Sequence, residues 1–186
     1  MLRSTLQLTR QLSDALLELP GIVRRFEQKS PHMMGDLMDW IGRSEDLLST
    51  HRLVEAAEVA GLKARILAPA FDDDKRGTLR KRQQTVAIGL LHELQQSLQN
   101  ALQPRALKVE QARDMMRQLL QIVAQSGAIQ YDPAVSLEDM VERIWLLCTH
   151  HEQLKPMAAQ LRALLSNDDI RLLMVEEIEP LDFLAA

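Results

Sequence analysis

Five basic side chains fall within eight residues: Lys75, Arg76, Arg80, Lys81 and Arg82. Guanidinium and ammonium groups spaced this closely near a helix start can grip phosphate oxygens, so the chemistry they offer is nucleic-acid binding. Asp72, Asp73 and Asp74 directly precede them and cancel much of their field, and no aromatic residue is interleaved for base stacking. The ordinary reading of such a stretch is a solvated turn. A helix beginning at Thr78 sets Arg80 to Arg82 at the positive end of its dipole, a local conflict of the sort that functional sites carry.

A second pair is Arg143 and His150, seven residues apart and so on one helix face about two turns apart. An arginine followed by histidine at this spacing resembles the motif of the HEPN ribonucleases, a family of small helical-bundle dimers acting on RNA phosphodiesters. The resemblance implies an RNA-cleaving homodimer in which Arg143 and His150 project into a cleft at the dimer axis. The chain departs from the family at Ile144, where a polar residue is favoured. The same spacing recurs at Arg25 and His32, across a helix break.

Cys148 and His151 are three apart, near His150 and Glu152, and could share a metal ion. Two ligands do not make a zinc site. A lone cysteine on an apolar helix face is ordinarily a small core residue. His92-Glu93 lacks the second histidine of a zincin helix. Neither a metal nor a cofactor is expected. There is no glycine-rich phosphate loop, nucleophile elbow or paired-carboxylate motif, so no catalytic residue is assigned outside the Arg143–His150 alternative.

The segment from Asn167 to Ala186 holds six acids and one base, Arg171, for a net of -5 against -4 for the whole chain. Within it Glu176, Glu177, Leu181 and Phe183 mix acids with large apolar groups. They are candidate partner-binding residues for a basic, grooved protein. The same segment could instead fold back over its own core. It could also pair with the basic 75–82 turn, within the chain or across a dimer.

The elements that must position these groups are helical almost throughout. Hydrophobic residues make up 46% of 186 and aromatics only 3%, so the core must be built from Leu, Ala, Val, Ile and Met. Leucines from Leu2 to Leu19 recur at helical spacing until Pro20-Gly21. From Ser30-Pro31 to Pro69 there is no further proline, which predicts one helix about 55 Å long. Its second half carries Ala56, Ala60, Gly61, Ala64 and Ala68. Another helix of the chain, or a second copy, could approach closely there. A helix over about 78–102 carries the stripe Ala87, Leu91, Leu94, Leu98 and Ala101, and Pro104 is expected to end it. Beyond it come a helix over 106–126 closed by Gly127, one capped by Ser136 with Asp139 three residues on, and a last one opening near Asn167. The methionines, Met33, Met34, Met38, Met115 and Met116 among them, fall at core spacing.

The fold predicted is an all-α helical bundle of five to seven helices, with a long central hairpin of about 31–68 and 78–102. It reads as one helical domain over 1–186, with 1–29 as an N-terminal arm and 167–186 as an acidic C-terminal segment. No apolar run is long enough to span a membrane, the leader region lacks an unbroken apolar stretch, and there is one cysteine; a cytoplasmic protein is expected. The leading functional expectation is a non-enzymatic interaction or regulatory module that binds another protein, or a second copy as a homodimer, through helix faces. The alternatives are the RNA-cleaving dimer and nucleic-acid binding through 75–82.

Overall fold

The computed structural model describes residues 4–70 and 78–183. Among them seven α-helices follow in order, with no strand: α1 (Thr5–Glu27), α2 (Met33–Thr50), α3 (Glu55–Leu67), α4 (Leu79–Ser126), α5 (Leu137–His150), α6 (Lys155–Leu164) and α7 (Asn167–Glu177). A 3-10 turn, Pro180–Phe183, closes the described chain. The protein is thus an all-α bundle, and none of these helices is long and apolar enough to cross a membrane.

Two prolines expected to break helices do not. Pro20 lies inside α1 and Pro104 inside α4, so α4 runs for 48 residues. Both prolines are exposed. A proline removes one backbone N–H and frees the carbonyl four residues back, and on the solvent side water can satisfy that carbonyl.

The long helix expected over 31–68 is instead two helices, and the break has no glycine or proline to announce it. Arg52 takes a left-handed backbone (φ 56°). The N–H of Arg52 donates to Ser49 O at 2.9 Å, and that of Leu53 donates to Leu48 O at 3.0 Å. These are the paired bonds of a Schellman cap. The end of α1 repeats the device. Lys29 has φ 52°, its N–H donates to Phe26 O, and the Ser30 N–H donates to Arg25 O. Ser30 therefore belongs to the closing of α1, and α2 opens at Met33 with no side-chain cap. At two other boundaries the sequence reading agrees with the structure. Gly127 has φ 63°, and Ser136 Oγ accepts from the Asp139 N–H at 3.1 Å.

The chain divides into two compact units. Gln7–Pro104 forms one unit; the residues through Leu6 and those from Arg105 onward form the other. The unit boundary falls at Pro104, although the helix continues.

In the Gln7–Pro104 unit, Leu12, Leu37, Trp40, Ile41, Leu48, Val59, Ile66, Leu94 and Leu98 make a continuous core. The α3 and α4 segments run antiparallel. Gln83 Nε2 donates to Leu67 O at 2.9 Å, and the buried Ser97 hydroxyl donates to Glu58 Oε2 at 2.9 Å. The small residues divide: Ala56 packs against this core and Ala60 is half-buried, whereas the rest of the row faces outward among the described residues. Val59, Leu62 and Ile66 point inward, Ala64 and Ala68 are exposed, and open space surrounds Gly61.

In the second unit the inward row of α4 is Val109, Ala112, Met116, Leu119, Leu120 and Val123, as its spacing predicts. It packs with Ile144, Trp145 and Cys148 of α5, Leu161 of α6, and Ile170, Leu173 and Met174 of α7. Arg162 of α6 lies over the Trp145 ring, 5.3 Å from its centroid.

Candidate functional site

Ser166 opens α7, its Oγ accepting from the Asp169 N–H at 3.1 Å. The other end of α7 is electrostatically awkward. Glu176 and Glu177 occupy the last turn with no base among them, at the negative end of the helix dipole. The conflict is relieved from α4. Arg117 Nε donates to Glu177 Oε2 at 2.6 Å, Arg113 Nε lies 3.3 Å from Glu177 Oε1, and Arg113 Nη2 lies 3.5 Å from Glu176 Oε2. The hydrogen bond that Arg117 donates to Glu177 favours the charged guanidinium and raises its pKa above the usual arginine value.

Past this network the chain turns through Ile178 and Glu179 into the 3-10 turn. The Tyr131 N–H donates to Phe183 O at 2.8 Å, and the Phe183 side chain is buried in the core. Folding back in this way leaves an open cleft of about 540 Å³ between α4 and the C-terminal segment. Leu120, Ala124 and Phe183 give it an apolar floor, and Gln121 and Gln125 line the α4 side. Glu179 and Asp182 also line it, and their carboxylates form no ion pair among the described residues; the paired Arg117 and Glu177 complete the lining. The arrangement can receive a cationic group over an apolar surface.

The residues singled out in the sequence fall in several places. Of the four candidate partner-binding residues, Glu176 and Glu177 pair with Arg113 and Arg117 within the chain, and the Phe183 side chain is buried in the core. The side chain of Leu181 lies outside the described structure. The free acids of the segment are Glu179 and Asp182, which no sequence pattern separates from Glu176 and Glu177.

Lys75 and Arg76 lie outside the described residues. Arg80 is exposed, and its Nη2 donates to Pro31 O at 3.3 Å; Lys81 is exposed and Arg82 half-buried. Arg143 and His150 are both exposed on α5 and do not line the cleft. His150 Nδ1 lies 2.8 Å from Leu146 O, a contact that requires the proton on Nδ1. Cys148 is buried, and desolvation pushes its thiol up to about 12, so it stays protonated and poorly suited to bind metal. Among the described residues no three His, Cys, Asp or Glu side chains come together in a metal-binding group. Comparison with protein-family models, with curated proteins and with solved structures finds no match to this chain.

Proposed function

We propose that this chain is a non-enzymatic interaction module whose α4–C-terminal cleft receives a basic segment of another protein. One observation carries the reading. Two carboxylates, Glu179 and Asp182, stand unpaired at an apolar-floored cleft, while their sequence neighbours Glu176 and Glu177 are neutralised by arginines. A lysine or arginine side chain lays its aliphatic stem on Leu120, Ala124 and Phe183 and directs its charge to the two acids. Gln121 and Gln125 supply hydrogen-bonding groups for the peptide backbone.

The test is titration of the ¹⁵N-labelled full chain with short peptides carrying adjacent Arg or Lys and Leu. Saturable shifts at Gln121, Gln125 and Asp182 are expected. The Glu179→Gln/Asp182→Asn double variant should bind at least about tenfold more weakly, with weaker binding at higher salt. Equal binding by wild type and the double variant would sink the reading. The homodimeric form of the module places a second copy as the partner, and the outward row of Ala64 and Ala68 leaves room for one. Native mass spectrometry reads it directly, and a monomer at micromolar concentration removes it.

A further inference from the structure

The Gln7–Pro104 unit holds a buried hydroxyl with no partner. Ser44 of α2 is only 2% exposed, and its Oγ makes no hydrogen bond. A serine inside a helix can point to solvent or donate to the carbonyl four residues back, and Ser44 does neither. A buried polar atom left unpaired is costly, so it marks a place where a partner belongs.

Ser44 lines a cleft of about 260 Å³ between α1 and α2, together with Gln11, Asp14, Ala15, Trp40 and Leu47. The Glu18–Arg43 ion pair, 2.5 Å long, borders it. The only full charge of the lining left without an ion-pair partner among the described residues is the Asp14 carboxylate. A neighbouring cleft shares Glu18 and Arg43 and contains a second unpaired carboxylate, Asp39. The charges left unpaired in the two linings are therefore both carboxylates, which favours a cation.

The apolar lining of Ala15, Trp40 and Leu47 disfavours a bare, strongly hydrated metal ion and favours a cation with a hydrocarbon body. The cleft, about 260 Å³ in volume, has room for a chain of a few carbons. We propose that this cleft binds a small linear aliphatic amine. Its ammonium donates to Ser44 Oγ and to the Asp14 carboxylate, and its methylenes lie against Ala15, Leu47 and Trp40. The site is separate from the C-terminal cleft and does not depend on it.

The two tryptophans make the test self-controlled, because Trp40 lines this cleft and Trp145 belongs to the other unit. The ¹⁵N-labelled full chain is titrated with n-butylammonium chloride at fixed ionic strength, with n-butanol and potassium chloride as controls. A saturable shift of the Trp40 indole signal with a Kd in the millimolar range is expected, with Trp145 unmoved and both controls silent. Ser44→Ala and Asp14→Asn should each weaken binding by about tenfold or more. Ser44→Ala removes an unpaired hydroxyl, so its melting temperature should not fall, and Asp14 is exposed, so its replacement leaves the fold intact. Non-saturating shifts, an equal response to butanol, or unchanged binding by both variants would overturn the proposal.

Discussion

The Thr5 backbone N–H donates to Asp169 Oδ2 at 2.8 Å, across 164 residues of sequence. The Ser4 hydroxyl donates to the other oxygen of the same carboxylate. Asp169 is fully buried, and Thr5 is the first residue of α1. A side chain of α7 thus satisfies a donor at the start of α1. Leu6 then enters the core of the same unit.

Replacing this carboxylate should be among the most damaging single changes. Asp169→Ala removes two charge-assisted hydrogen bonds and leaves a small cavity where the buried carboxylate stood. A loss of about 3 kcal/mol in unfolding free energy is expected from urea titration. A loss under about 1 kcal/mol would show that water replaces the carboxylate there.

The two left-handed caps predict a gain. Lys29 and Arg52 carry a Cβ in a backbone region that disfavours it, by roughly 1–2 kcal/mol. Glycine removes that strain and adds some chain entropy to the unfolded state. Arg52→Gly and Lys29→Gly should each stabilise by a net of about 0.5–1 kcal/mol, read as a higher denaturation midpoint with an unchanged slope.

Burial of Cys148 links stability to pH. The folded thiol titrates at about 12, against an ordinary 9.0, because desolvation disfavours the thiolate. A folded pKa above the unfolded one means that this contribution is fully present below pH 9 and is lost as pH rises from there toward 12. Cys148→Ala should flatten the fall in stability over that window relative to wild type. At neutral pH the thiol should react with alkylating reagents only as fast as the fold opens.

The indole N–H of Trp40 donates to Ala15 O at 2.8 Å, tying α2 to α1. Trp40→Phe removes the bond and leaves a small cavity, for an expected cost of about 2–3 kcal/mol by chemical denaturation. The second unit has its own core, so Trp145 fluorescence reports whether the loss stays local.

Local pattern alone determined that this protein is all-helical. It also gave the inward row of α4 from Val109 to Val123, the Ser136 cap and the left-handed Gly127, because periodicity and capping involve residues within a turn or two of one another. Tertiary structure decided the rest. Pro20 and Pro104 sit inside helices because their faces meet solvent, and α2 parts from α3 at an arginine because a Schellman cap asks only for a left-handed residue. Glu176 and Glu177 look like Glu179 and Asp182 in sequence. They differ because Arg113 and Arg117, about sixty residues earlier, reach only the first two. Whether a charge or hydroxyl is satisfied depends on what is brought to it from elsewhere in the chain, and no local spacing encodes that.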